Sequence, residues 1–161
     1  MISTNHEPFI LQCYALARQA VANGDHPFGA LLVHEGEVLL TAVNTVHSNH
    51  DVTQHAELNL ISQGGRSLGY TLLKQSILYT STEPCAMCTG AIFWAGIPAV
   101  VYGCSAESLG KITGGNFVVP SRQLLAKGTR PTRVIGPVLE VEGIAIHQAY
   151  WPTNAKLRPL S

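Results

Sequence analysis

A three-layer α/β domain, with helices packed on both faces of a mixed sheet, is what the sequence predicts. Three observations carry this. Apolar runs of strand length alternate with segments of helical period. The first two runs, Ala30 to His34 and Val38 to Val43, are split only by Glu35-Gly36-Glu37, the mark of an antiparallel hairpin. Further on, a strand, a helix and a strand follow one another from Ser76 to Gly103, the pattern of a parallel pair joined by a right-handed crossover.

The elements follow in order. Thr4 or Asn5 can cap a first helix with Pro8 in its opening turn, and Gly24 ends it. Phe9, Cys13, Leu16, Ala17, Ala20 and Val21 recur at helical spacing along it. Asp25 to Gly29 turn into the hairpin, whose second strand ends at Asn44 before a polar loop, Thr45 to Thr53. His55 to Gln63 reads as a helix stopped by Gly64-Gly65, with Asp51 and Thr53 as candidate caps. Ser76 to Ser81 is a strand, Cys85 to Ala95 a helix behind Pro84, and Ile97 to Gly103 a strand. A short helix over Ser105 to Leu109, a glycine-rich loop from Lys111 to Phe117, a short helix over Ser121 to Ala126, a strand from Arg133 to Leu139 and a helix from Glu140 to Tyr150 complete the series. Pro152 closes that helix, and the tail from Thr153 to Ser161 reads as loose.

Length and composition narrow the function. The 161 residues suit one domain over 1–161, and 46% hydrophobic residues suffice for a sizeable core. Charged residues are 12% and the formal net charge is +0, which argues against a nucleic-acid partner held mainly by electrostatics. No apolar run reaches membrane-spanning length, and the polar start Met1 to Glu7 lacks the charged n-region of a signal peptide. The expected location is the cytoplasm, where thiols stay reduced.

The chemistry centres on Thr82-Glu83-Pro84-Cys85-Ala86-Met87-Cys88 and, upstream, His55-Ala56-Glu57. A Cys-x-x-Cys pair and a distant histidine supply three ligands for a tetrahedral zinc ion and leave its fourth position open for water. Glu57, two residues from His55, can handle that water's protons. His-x-Glu followed by Pro-Cys-x-x-Cys is the signature of the zinc deaminases, in which the Glu is acid and base but not a ligand. Each half alone is weaker: Cys-x-x-Cys also occurs in redox pairs and in closed structural sites, for which Cys13, Cys104 or any histidine could be the fourth ligand. On an ideal helix His55 and Glu57 stand ~200° apart, so Glu57 must reach around to a shared site. Both thiols are expected at a helix N-terminus, where the backbone dipole lowers a thiol pKa.

These motifs, with Pro27-Phe28-Gly29-Ala30, Asn44 and the continuation Thr89-Gly90-Ala91-Ile92, resemble the cytidine deaminase-like superfamily, in particular its nucleobase and tRNA-adenosine branch, over the first two thirds of the chain. The resemblance implies an α/β/α fold with a five-stranded mixed sheet and a homodimer or larger assembly. It implies Zn2+ on His55, Cys85 and Cys88, proton transfer by Glu57, a hydrogen bond from Asn44 to the base, and a pocket lined by backbone around Ala56 and Cys85. Phe28 and Trp94 resemble residues that pack on or near the base in guanine deaminases. Gly96-Ile97-Pro98 resembles fungal cytosine deaminase, whereas the chain after Gly103 follows none of these branches closely.

The expected reaction is hydrolytic removal of an exocyclic amine from guanine, cytosine, isocytosine or a related aminated s-triazine. Glu107 or the terminal group of Glu140, Glu142, His147, Tyr150 and Trp151 is a candidate for closing the pocket over a free base. The alternative is adenosine-to-inosine deamination in tRNA, for which the small clusters Lys127, Arg130, Arg133 and Lys156, Arg158 would supply phosphate contacts. A catalytically silent zinc module that scaffolds a partner is a third reading, but such a module has no use for Glu57. The helix from Met1 to Gly24 and the apolar Ile92-Phe93-Trp94-Ala95 are candidate interfaces.

Overall fold

A computed structural model describes residues 5–115 and 117–151. Five strands, β1 (Gly29–His34), β2 (Glu37–Val43), β3 (Ile77–Thr82), β4 (Ala99–Cys104) and β5 (Arg133–Ile135), form one sheet in the order β2-β1-β3-β4-β5. β1 runs antiparallel to both β2 and β3, and β3, β4 and β5 are mutually parallel along the sheet. The hairpin turn carries positive φ at both Glu35 and Gly36, as a two-residue turn matched to strand twist requires.

Alternation along the strands sorts the core into two faces. Ala30, Leu32, Leu78 and Val100 point to one side, against Leu60 of α3 (Ala56–Ser67) and Ile92 of α5 (Ala86–Ala95). Leu31, Val33, Tyr79 and Val101 point to the other, against Ile10, Cys13 and Tyr14 of α1 (Glu7–Ala22) and Ile146 of α8 (Glu140–Tyr150). Central strands covered on both sides read as the continuous apolar runs seen in the sequence. Short helices α2 (Val46–Asn49), α4 (Tyr70–Leu73), α6 (Ala106–Thr113) and α7 (Ser121–Leu125) fill the connections. Among the described residues no helix is long and apolar enough to cross a membrane.

Several expected boundaries move. α3 runs through Gly64-Gly65 to Ser67. A Cβ on Gly64 would stand 2.9 Å from Leu73 Cδ2, so this glycine admits a close neighbour inside the helix; the chain turns instead at Gly69, at φ 80°. α6 extends through Gly110 and Lys111, which were expected in a loop. β5 stops at Ile135, short of Leu139, before Pro137, which lacks an N–H for the ladder. α1 has His6 at its N-cap, and Asn5 Oδ1 accepts from Glu7 N–H at 3.2 Å. Thr4, Pro152 and the tail Thr153 to Ser161 lie outside the described residues.

Candidate metal centre and active site

The site forms where two helices begin. His55 and Cys85 are the N-cap residues of α3 and α5, both with extended backbone (φ −67°, ψ 153° and φ −65°, ψ 172°). The ~200° separation of an ideal helix therefore does not apply to His55 and Glu57, because His55 stands outside the helix and its ring turns back towards the thiols. His55 Nδ1 is 3.6 Å from Cys85 Sγ and 3.6 Å from Cys88 Sγ. A tetrahedron with Zn–N and Zn–S bonds of about 2.1 and 2.3 Å has an N···S edge of about 3.6 Å. The three donor atoms lie within 4.8 Å of one another, and among the described residues no fourth Cys, His, Asp or Glu joins them. Cys13 packs on the opposite face of the sheet and Cys104 donates to Ser105 O, so neither completes a closed structural site. One nitrogen and two sulfurs with an open position fit zinc.

Glu57 is 4% exposed. Its Oε2 lies 3.7 Å from Cys88 Sγ and its Oε1 accepts from Thr80 Oγ1 at 3.0 Å. Burial raises its pKa, against a lowering by the positive charge of His55, which suits a carboxylate that must both take and return a proton. The hydrogen bond from Cys88 and the adjacent His55 hold Cys85 down to about 4, while the same bond, burial and the charge of Glu57 push Cys88 up. Burial alone would lower His55; its hydrogen bond to Cys85 and the charge of Glu57 outweigh this and raise it.

A second group of contacts joins the ends of β1, β2 and β3 to the C-terminal helix. Asn44 is 1% exposed; its Oδ1 accepts from Val46 N–H at 3.1 Å, and its Nδ2 has no partner among the described residues. An orphaned amide donor at such depth is a costly group unless a ligand meets it. Its backbone N–H donates to Phe28 O at 3.0 Å. Phe28 packs on His147 with ring centroids 5.3 Å apart and on Trp151 at 6.3 Å. His147 Nε2 is 2.8 Å from Thr82 Oγ1, and Trp151 Nε1 donates to His147 Nδ1 at 3.0 Å. His26 continues the wall, at 5.2 Å from Trp151 and with its Nε2 2.7 Å from that of His47 in α2. Ala56 is buried at the first turn of α3.

Three expected pocket residues lie elsewhere. Trp94 is 80% exposed, because it stands about 120° around α5 from Cys88. Glu107 pairs with Lys111 at 2.8 Å on the outside of α6, with both side chains about three-quarters exposed. Glu142 is exposed, about 140° around α8 from His147. Glu140 is also structural: it accepts from Ser105 N–H, Ser105 Oγ and Ser108 Oγ, pinning α8 to the start of α6.

Other residues do work that sequence reasoning left unassigned. Asn59, one turn after His55, donates to Val43 O at 2.9 Å and Thr45 Oγ1 at 3.0 Å, so the helix that carries Glu57 also grips both neighbours of Asn44. Glu83, quoted in the motif without a role, accepts from Ala106 N–H at 3.0 Å and from Ser121 N–H and Oγ at 2.8 and 2.7 Å, which fastens α6 and α7 to the metal corner. Asp25 accepts from His47 N–H and Ser48 N–H at 2.9 Å and holds the α2 turn. The sequence signal for these was a polar residue beside a motif, which is too common to single them out.

Comparison with known proteins matches residues 3–104 to the cytidine and deoxycytidylate deaminase zinc-binding region. A probable cytosine deaminase of Schizosaccharomyces pombe is 40% identical over 152 residues, covering 89% of this chain and 90% of its own length. The guanine deaminase of Bacillus subtilis is 43% identical over 99 residues, 61% of this chain and 64% of that protein. A solved structure from a study of A-to-I editing by tRNA:A34 deaminases at the wobble position superposes with a TM-score of 0.74 at 30% identity, covering 87% of this chain and 99% of that one. An alignment over 89% of the chain necessarily enters the part after Gly103.

Proposed function

The chain belongs to the cytidine and deoxycytidylate deaminase zinc-binding family, and on that premise we propose that it is a zinc-dependent hydrolytic deaminase of a small free nucleobase or related aminated heterocycle, of the cytosine, guanine, isocytosine or s-triazine type. His55, Cys85 and Cys88 would hold the ion, which supplies the Lewis acidity that makes water nucleophilic near neutral pH. Glu57, steadied by Thr80, takes a proton from the attacking water and delivers it to a ring nitrogen, then protonates the leaving amine. A C–O bond forms at the amine-bearing carbon. The proton that Glu57 gives to the amine is the second one of the attacking water, taken from the adduct's O–H. The C–N bond breaks, and ammonia departs with a C=O left in its place. Asn44 holds the base through Nδ2, and Phe28 lies against it with His147 and Trp151 behind.

The observation that carries this reading is the orphaned Asn44 donor, set in a wall that the C-terminal helix closes. That enclosure suits a free base better than a nucleotide inside a polynucleotide. One member of the basic cluster Lys127, Arg130 and Arg133 is engaged: Arg130 donates to Phe93 O with its guanidinium 4.7 Å from the Phe93 ring centroid. The other basic pair, Lys156 and Arg158, lies outside the described residues. The exposed Met87 and Trp94 on α5, an apolar helix all round, favour a homodimer through that face. Free thiols at Cys85 and Cys88 are consistent with a reducing cytoplasm.

The test is ammonia release by the zinc-loaded protein from guanine, cytosine, isocytosine, 5-azacytosine, ammeline, cytidine, adenosine and an adenosine-containing anticodon stem-loop. Turnover of a free base with an idle stem-loop is the expected result. Turnover of the stem-loop alone would replace this reading with tRNA editing.

A further inference from the structure

The wall that faces Asn44 ends in a hydroxyl whose direction the surrounding hydrogen bonds dictate. Trp151 Nε1–H is a donor only, and it points at His147 Nδ1 from 3.0 Å. Nδ1 is therefore an acceptor. Burial pushes the His147 pKa down to about 4, so the ring is neutral near pH 7 and carries its one hydrogen on Nε2. Nε2, 2.8 Å from Thr82 Oγ1, must donate, and the Thr82 oxygen accepts. The Thr82 O–H hydrogen is thus turned away from His147. Thr82 is 2% exposed, and its hydroxyl hydrogen meets no acceptor among the described residues.

Position supplies the rest. Thr82 is two residues after Thr80 on β3 and shares its face, and Thr80 is the residue that holds Glu57. A ring of contacts runs from Asn44 to Phe28, His147, Thr82, Thr80 and Glu57, and Asn59 on α3 closes it by gripping both neighbours of Asn44. Two buried hydrogen-bond donors, Asn44 Nδ2 and Thr82 Oγ1, therefore belong to one ring of contacts that includes Glu57.

We propose that Thr82 is a specificity-determining residue whose hydroxyl donates to an oxo or unprotonated ring-nitrogen acceptor of the bound heterocycle, with His147 and Trp151 as positioning residues that aim it. This rests on the deaminase reading above. It selects aminated heterocycles with acceptors towards both Asn44 and Thr82, and disfavours those that present an N–H to Thr82, where two donors would face each other. It also moves His147 and Trp151 from base contacts to a relay acting through Thr82.

The experiment uses the full zinc-loaded chain as parent, Thr82→Val, Thr82→Ser and Trp151→Phe, with steady-state kinetics on the base the parent prefers. Thr82→Val should raise KM about 5- to 50-fold with kcat within about threefold, and Thr82→Ser should restore it. Trp151→Phe frees Nδ1 to take the proton and should raise KM in the parent but add little on a Thr82→Val background. Two-bond 1H–15N correlation spectra of the parent should show His147 as the Nε2–H tautomer. An active parent whose KM is unmoved by Thr82→Val, or an Nδ1–H tautomer in the parent, would overturn the inference. A parent idle on every free base would overturn the deaminase reading instead, and the tautomer spectrum would still decide which way the hydroxyl points.

Discussion

The metal corner and the recognition wall are built in different ways. The corner takes four side chains from two short segments, 55–57 and 85–88, each at a helix start, and the cap conformation alone aims His55 and Cys85 inward. The wall takes Phe28, Asn44, Thr82, His147 and Trp151 from four distant parts of the chain, held by contacts that span 65 residues in sequence between Thr82 and His147 and still more between Phe28 and Trp151. Reaction chemistry is thus written locally, where spacing preserves it. Substrate choice, in the proposed function, is then a property of tertiary assembly. Substitutions in the two regions should fail differently: loss of metal or of turnover in the corner, loss of substrate affinity or of acid stability in the wall.

The largest effect is expected from His55→Ala, which should take bound zinc from about one ion per chain to almost none and abolish ammonia release, read by elemental analysis beside the kinetic assay. A variant with full zinc and activity would dissolve the corner as drawn. Asn44→Ala leaves the corner intact and removes the orphaned donor. It should keep its zinc and lose about 10- to 100-fold in kcat/KM, mostly through KM. A zinc-depleted Asn44→Ala would mean that the two regions are not separable.

The wall can also be sharpened through stability. Folded His147 is held to about 4 by burial, whereas an unfolded histidine titrates near 6.5. Between those values the unfolded chain binds a proton that the native chain does not. Stability is therefore unaffected by this group above about pH 6.5, falls as the pH drops towards about 4, and levels off below, by about 3 kcal/mol in all. Urea unfolding from pH 7.5 to 4.5 should show a steeper loss for the parent than for His147→Gln, and parallel curves would remove His147 from the buried wall. The smallest effect belongs to Glu107→Gln, which breaks only an exposed pair with Lys111. It should change kcat/KM less than about twofold, and a large loss would return α6 to the pocket.

The same division explains what was legible in the sequence. His55, Glu57, Cys85 and Cys88 stood out because few other arrangements need those residue types at those spacings, and the sheet followed from alternating apolar runs and the Glu35-Gly36 turn. Gly64-Gly65 was misleading because a glycine that admits Leu73 looks, in sequence, like one that ends a helix. Trp94, Glu107 and Glu142 are chemically plausible pocket residues, but helical phase turns all three outward. Thr82, Asn59 and Glu83 carried no signal of their own, since a polar side chain reveals its partner only when distant segments meet.

The most direct test of the central claim, that three ligands hold the ion while Glu57 moves protons without binding it, is Glu57→Gln assayed for zinc and turnover in the same preparation. The account predicts zinc at the parent's level and kcat lower by about 10²- to 10⁴-fold. Parent-like turnover would contradict the proton-transfer role, and loss of the ion would make Glu57 a ligand.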